Sequence, residues 1–339
     1  MEATTPVRDA LDRPLSDLRI SVTDRCNFRC TYCMPREAFG PGHAFLPRSA
    51  LLTYEEIART ARIFVGMGVS KIRLTGGEPL LRRDIERLVE MLASIDGVND
   101  LSLTTNGTFL AAKAQSLKDA GLQRVTVSLD SLDAVTFGAM NDIDLPIERV
   151  LAGIEAASSS GLTPVKINCV VRRGVNEDQI LPLARYFKGS GHVMRFIEYM
   201  DVGATNEWQL RDVVPAKEIV ELIHNVMPLR SRGRGSATDV AERYAYADGS
   251  GEIGVIASVT RPFCGDCSRA RLSADGRLFT CLFATAGTDL RGPLRAGATD
   301  SELSDLVGGV WGMRTDRYSE ERGTTPVLIP KIEMSFIGG

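Results

Sequence analysis

Two groups of three cysteines carry the chemistry this sequence offers. Cys26, Cys30 and Cys33 stand in a C-x3-C-x2-C array. That spacing lets three sulfurs turn toward one point. Thiolates are soft ligands that suit iron–sulfur clusters, Cu(I) or zinc. A structural zinc takes four protein ligands, and no fourth cysteine or histidine follows closely; the nearest is His43. A 4Fe-4S cluster usually has four cysteines, so three leave one iron open for another ligand. A redox pair or an incidental zinc site is the plainer alternative.

Cys264 and Cys267 form a C-x2-C knuckle, and Cys281 follows. Asp275-Gly276 between them is a two-residue hairpin signal. Folding there pairs Ala274 with Arg277 and sets Cys281 opposite Ala270. Again no fourth ligand is near, and a zinc completed by a distant histidine (His43, His192 or His224) stays open. Cys169 sits among apolar strand residues and reads as a small buried hydrophobe. Arg269 and Arg271 are two apart on the hairpin strand and share a face. Two guanidiniums aimed together beside a metal site suit a polyphosphate or a purine carbonyl. A solvent-facing charged strand is the alternative.

The elements that must position these groups alternate. Leu18–Val22 reads as a strand ending at the first cysteine loop. Thr53-Tyr-Glu-Glu56 is a capping box opening a helix with Ile57, Ala61 and Phe64 on one face. Strands follow at 71–74, 100–105, 124–129, 163–171 and 192–199. Helices are expected at 84–94, 109–120, 147–160, 176–188 and 215–226. Strand then helix, six times, implies a parallel sheet with helices outside. The fold class is α/β: an incomplete (β/α)6 TIM-type barrel with a C-terminal cluster-binding extension. In such barrels the chemistry sits at the C-terminal ends of the strands. The expected divisions are an N-terminal arm at 1–17, the partial barrel at 18–230 and a C-terminal region at 231–339. The basic run 231–236 reads as a loop, and Lys331–Ile337 alternates like a docked strand.

The chain has 339 residues and a net charge of −3, so nothing draws it globally to nucleic acid or an anionic membrane. Its start lacks the apolar core of a signal peptide, and no apolar run reaches membrane-spanning length. Seven cysteines in two triplets and a single do not make a disulfide framework, and a cytoplasmic location is expected.

The first triplet resembles that of the radical SAM superfamily, whose 4Fe-4S cluster binds S-adenosylmethionine (SAM) at its open iron. The wider set is more specific: Leu18-Arg-Ile-Ser-Val-Thr-Asp-Arg-Cys26, Arg73-Leu-Thr-Gly-Gly-Glu-Pro-Leu80, Thr104-Thr-Asn-Gly107, Arg195-Phe-Ile-Glu-Tyr-Met-Asp-Val-Gly203, the second triplet and the final Gly338-Gly339. Together they resemble the GTP 3′,8-cyclase family of molybdenum cofactor biosynthesis, over residues 18–339. The one departure noted is Ser268, where that family usually has Asn.

The resemblance implies two 4Fe-4S clusters, on Cys26, Cys30 and Cys33 and on Cys264, Cys267 and Cys281, with SAM as cofactor. It implies SAM contacts from Tyr32, Gly77, Glu78, Ser128 and Met200. It implies GTP contacts from Arg19, Arg73, Thr104, Lys166, Arg269, Ala270 and Arg271. Gly338 and Gly339 would join Arg269 and Arg271 in the catalytic set, the tail being a side-chain-free finger entering the site. A homodimer, an external electron donor and transfer of the product to cyclic pyranopterin monophosphate synthase are also implied. Another radical SAM enzyme with an auxiliary cluster, such as a peptide-modifying maturase, would share the triplets and Gly-Gly-Glu-Pro without needing the arginine pair or the tail. A two-cluster electron carrier would not need the six-unit α/β body.

Overall fold

The computed structural model describes residues 5–322 and 330–339. Six strands, β1 (Asp17–Ser21), β2 (Lys71–Thr75), β3 (Asp100–Thr105), β4 (Arg124–Ser128), β5 (Lys166–Val171) and β6 (Val193–Glu198), lie side by side in chain order, all parallel. Between them run α1 (Tyr54–Gly66), α2 (Ile85–Ala93), α3 (Leu110–Asp119), α4 (Ala134–Asn141), α5 (Glu148–Ser159) and α6 (Ile180–Phe187); α7 (Ala216–Val226) follows β6. The Thr53 capping box is present: Glu56 N donates to Thr53 Oγ1 and Thr53 N to Glu56 Oε2.

The sheet runs on past residue 230. β7 (Leu229–Gly233), β8 (Glu242–Tyr246) and β9 (Glu252–Ile256) form an antiparallel ribbon whose last strand pairs parallel with β6. The basic run is therefore strand as far as Gly233 rather than loop throughout. On the other flank β10 (Arg269–Leu272) pairs parallel with β1, and β11 (Arg277–Phe279) and β12 (Thr288–Asp289) complete that edge. β12 and β7 are the two ends of a sheet that does not close. α8 (Arg291–Arg295), α9 (Asp300–Gly312), α10 (Tyr318–Glu321) and α11 (Met334–Ile337) follow.

Strand alternation divides the barrel wall. Leu18, Ile20, Leu74, Leu101, Leu103, Val125 and Val127 are buried against the helices. Each such side chain contributes about 1.5–3 kcal/mol of burial. The alternate positions, Asp17, Arg19, Lys71, Arg73 and Lys166 among them, line the inside. Apolar packing outside thus holds a charged interior in place.

Further details differ from expectation. The β10–β11 turn has three residues, 274–276, not two: Ser273 N donates to Arg277 O, and Arg271, not Leu272, stands opposite Phe279. Gly276 at φ +82° supplies the left-handed residue this longer turn requires. The register slips by one, and Ala270 moves out of opposition to Cys281. Residues 334–337 form a helical turn, in which Gly338 N reaches back to Met334 O. α4 was not legible, since Ala134-Val-Thr-Phe-Gly-Ala-Met140 has little amphipathic period; Asp133 caps it by accepting from Thr136 N. β5 starts at Lys166, three residues late.

The arm is not loose. Val7 N donates to Met67 O, Leu15 is fully buried, and Asp9 and Arg13 are buried with it.

Candidate active site

The Cys26–Cys33 loop leaves the C-terminal end of β1. Two neighbours clamp it. From one side, Gly77 N donates to Thr23 O and Glu78 N to Arg25 O, both at 2.8 Å. A Cβ on Gly77 would overlap the Arg25 carbonyl, so glycine here serves the close approach of the cysteine loop itself. From the other side, the carbonyls of Met140 and Asn141 in α4 accept from Thr31 N and Arg29 N at 2.9 Å. Cys30 Sγ lies 3.1 Å from Asn141 Oδ1.

Glu78 is a knot between strand ends. Its carboxylate accepts from Leu80 N (2.9 Å), Thr105 Oγ1 (2.8 Å) and Asn106 N (2.7 Å). Burial pushes it up to about 7 against those hydrogen bonds. A carboxylate has about four acceptor sites, so one remains for an ammonium donor. Tyr32 Oη donates to Asp130 Oδ2 at 2.8 Å, and Val170 N donates to Asp130 Oδ1. Tyr32, Gly77, Glu78, Ser128 and Met200 all line one cavity of about 540 Å³ with Cys26, Cys30 and Cys33.

Cys264, Cys267 and Cys281 line the same cavity, as do Arg19, Arg73, Thr104, Lys166, Arg269, Arg271 and Gly339. Ala270 does not: its side chain is fully buried on the opposite face of β10, so only its backbone is available to a ligand. Register explains the gathering of cations. Arg271 aligns with Arg19, Arg19 with Arg73, Arg73 with Ser102, and Ser102 with Arg124, across five neighbouring strands.

Among the described residues several of these cations make no ion pair, with Asp17 a nearby carboxylate on the same wall. Arg19 Nε is buried without a partner. Arg73 reaches only the hydroxyls of Thr104 and Thr126, each at 3.4 Å. Arg195 donates to the amide oxygen of Asn168 at 2.9 Å. Burial, then Arg271, Arg269 and Arg73, holds Arg19 well below the usual guanidinium range. Burial, then Arg195, Arg124 and Arg73, brings Lys166 down to about 8. Guanidiniums stay charged. Such a set is complementary to a polyanion, which would relieve both the repulsion and the missing hydrogen bonds.

The cysteines fit cluster ligation. All are free thiols. N–H donors aim at three sulfurs: Phe28 N at Cys26 (3.4 Å), Phe283 N at Cys281 (3.5 Å) and Arg269 Nη2 at Cys267 (3.3 Å). Among the described residues no three His, Cys, Asp or Glu converge tightly enough for a single metal ion, as a mononuclear zinc would need. A cluster instead takes its thiolates on separate irons. The histidines stay apart. His43 lies between the rings of Phe39 and Phe45, and His224 Nδ1 accepts from Leu229 N. The two trios differ electrostatically. Burial, then Glu78, pushes Cys26 up to about 12. At Cys267, burial pushes the same way but Arg269 and Arg314 outweigh it, bringing the thiol to about 6.

The tail enters the cavity. Arg271 Nη1 donates to the Gly338 carbonyl at 2.9 Å, meeting backbone rather than the terminal carboxylate. Gly338 sits at φ +78°, where a Cβ would overlap Thr75. Lining cations that sequence reasoning missed are Arg243, Arg314 and, on the parallel strands, Lys71, Arg124 and Arg195. The available signal was the alternation of charged with aliphatic residues in strands that share a register. Glu198 was also missed. It is fully buried and accepts from the backbone N–H groups of Ala216, Val259 and Thr260, tying the end of β6 to the segment after β9.

Known proteins resemble this chain in sequence and fold. Residues 20–187 match the Radical SAM superfamily model, and residues 192–320 match the Molybdenum Cofactor Synthesis C model. A GTP 3′,8-cyclase of Acidothermus cellulolyticus is 53% identical over 99% of this chain and 100% of its own length. One of Xanthomonas axonopodis pv. citri is 49% identical over 99% and 100%, and one of Staphylococcus aureus 46% over 98% and 99%. Streptococcus suis SuiB, solved with S-adenosylmethionine, shares the fold alone, at TM-score 0.62 and 14% identity over 90% of this chain and 69% of its own. No helix among the described residues is long and apolar enough to cross a membrane. Full-length identity, both family matches and a cavity that joins the two cysteine trios to a row of cations place this chain in the GTP 3′,8-cyclase family of radical SAM enzymes.

Proposed function

We propose that this chain converts GTP to (8S)-3′,8-cyclo-7,8-dihydroguanosine 5′-triphosphate, the first step of molybdenum cofactor biosynthesis. The observation that carries the reading is one cavity with a cysteine trio toward each side and cations along its wall, of which Arg19, Arg73, Lys166 and Arg195 make no ion pair among the described residues. The first trio would hold a 4Fe-4S cluster, which with SAM supplies a 5′-deoxyadenosyl radical able to take hydrogen from ribose C3′. Tyr32, Glu78, Ser128 and Met200 would orient SAM beside it, Glu78 offering its remaining acceptor to the SAM ammonium. Arg19, Arg73, Lys166 and Arg195 would take the triphosphate, fixing the ribose relative to the first trio. Arg269, Arg271 and the second trio, holding a second 4Fe-4S cluster, would take the guanine side, with the backbone at Ala270. An external donor would supply the electron needed after ring closure.

The test is anaerobic reconstitution with iron and sulfide counting, then mass analysis of products from GTP with SAM and dithionite. About eight irons per chain are expected. Ser at Cys264, Cys267 or Cys281 should abolish cyclisation yet leave 5′-deoxyadenosine formation at the first trio. One stoichiometric zinc with about four irons in active protein would overturn the second-cluster assignment. A peptide-modifying maturase would release 5′-deoxyadenosine without consuming GTP.

A further inference from the structure

The second cysteine trio has a support that its own hairpin does not provide. Asp9 and Arg13 from the N-terminal segment meet Arg314 and Asp316, which follow α9, in a buried ionic network. Asp9 Oδ2 accepts from Arg13 Nε at 2.6 Å and from Arg314 Nη1 at 3.2 Å, and the three side chains are at most 1% exposed. Asp9 Oδ1 accepts from Leu11 N and Arg13 N, each at 2.9 Å, which fixes the carboxylate. Trp311 Nε1 donates to Arg13 O, and the Arg314 guanidinium lies over the Trp311 ring.

From this network contacts go to Cys264, to Cys267 and to the residue before Cys281. Arg13 Nη1 donates to the carbonyl of Cys264 at 2.9 Å and to that of Asp316 at 2.7 Å. Arg314 Nη1 donates to the carbonyl of Cys267 at 2.7 Å. Asp316 Oδ2 accepts from Thr280 Oγ1 at 2.6 Å, the residue before Cys281. We infer that Asp9, Arg13, Arg314 and Asp316 form a collar that presents the second cysteine trio, with Arg13 and Arg314 as positioning residues acting through the carbonyls of Cys264 and Cys267.

The energetics favour this over simple adhesion between chain ends. Desolvating an ion pair costs about as much as it returns, and apolar packing would join two segments at least as well. Here two buried guanidiniums share one buried carboxylate, while Asp316 is about a third exposed. Among the described residues Arg13 Nη2 and Arg314 Nε have no hydrogen-bond partner. That local excess of positive charge is complementary to an anionic thiolate-ligated group, and Arg314 itself lines the cavity. The sheet cannot do this work, because the β10–β11 pairing ends before Cys281 and the knuckle precedes it.

This inference rests on the second-cluster reading, so its test has an arm independent of that cluster. Arg13→Gln and Arg314→Gln would be compared with the parent by hydrogen–deuterium exchange in the cluster-free chain, then by iron count and redox titration after reconstitution. Exchange over residues 263–268 should rise about tenfold or more in either variant, with the barrel strands unchanged. After reconstitution each variant should hold about four irons rather than about eight. Where the second cluster still assembles, its potential should fall, because a cation favouring the more negative reduced form is gone. Arg314→Lys should retain more of the potential than Arg314→Gln. 5′-Deoxyadenosine formation without GTP should persist, showing the first site intact. Parent-like exchange in this segment would overturn the collar, and so would loss of both clusters together, which marks a general folding role. A parent that itself takes only about four irons would sink the second-cluster reading, while the exchange arm still decides the collar.

Discussion

A lysine that burial and neighbouring guanidiniums push down offers a direct readout of what binds in the cavity. Lys166 aligns with Thr126 on one side and Val193 on the other, with no carboxylate in either position. Burial first, then Arg195, Arg124 and Arg73, lowers it to about 8. A bound triphosphate would raise it again. The sign follows from linkage: below about pH 8 the lysine is charged in both free and bound protein, and affinity is flat on this account. Above it, binding requires proton uptake, so GTP affinity should fall by up to about tenfold per pH unit until the bound-state value is passed. Equilibrium binding across that range checks this, and Lys166→Arg should abolish the alkaline decline, because a guanidinium does not titrate there. An unchanged decline in that variant would place the titration elsewhere. At the same scale, Arg271→Ala should weaken GTP binding by roughly 1–3 kcal/mol, as loss of a charge-assisted hydrogen bond does, while the iron content stays at the parent value.

At the scale of elements, much was legible because each signal was local. The Thr53 capping box, the alternation of β1 and β2, and the cysteine spacings needed no partner to be read. What was hidden depended on partners. The three-residue turn between β10 and β11 is held by partners distant in sequence: Ala274 O accepts from Leu52 N, and Gly276 O from Leu290 N and Arg291 N. α4 matters through its last two carbonyls, which no periodicity announces. The resemblance put Gly77 at SAM, but the loop backbone packed against it was not legible. That packing makes a prediction. In Gly77→Ala the new methyl must displace the Arg25 carbonyl, breaking the pair of 2.8 Å hydrogen bonds that seat the first cysteine loop. Overpacking of this kind costs about 1–3 kcal/mol, concentrated on one loop. The variant should fold and fill its second cluster but fail to hold the first, and form no 5′-deoxyadenosine. Gly66→Ala, where a methyl meets open space, is the control and should behave as the parent. Parent-level 5′-deoxyadenosine from Gly77→Ala would show that the loop yields without consequence.

Across the whole molecule, the last residues are tied to the far side of the barrel from the strand they finally touch. Lys331 Nζ donates to Asp201 Oδ2 at 2.8 Å and to its carbonyl at 2.5 Å, while Arg322 Nε donates to Asp201 Oδ1. Glu333 accepts from Ala204 N at 2.9 Å and from Thr205 Oγ1 at 3.2 Å. These contacts grip the loop that follows β6 and contains Met200, one of the residues assigned to SAM. From there one helical turn carries Ile337 into the interior and delivers Gly338 to Arg271 on β10. The tail thus bridges the two flanks of an open sheet at the cavity, and at Gly338 a side chain would overlap Thr75. Deleting Gly338-Gly339 removes the finger but none of the anchors at Lys331 and Glu333. The truncated chain should therefore keep its fold, both clusters and SAM binding, and lose GTP cyclisation. A synthetic peptide ending in Phe-Ile-Gly-Gly, added in excess, should restore part of it, since the gap left at Arg271 is preformed by β10. Asp201→Asn should act in the opposite order: the finger is present but its anchor is weakened, so cyclisation falls less and 5′-deoxyadenosine formation with GTP becomes uncoupled from product. Full cyclisation by the truncated chain would remove the tail from the mechanism, and loss of either cluster on truncation would make its role structural instead.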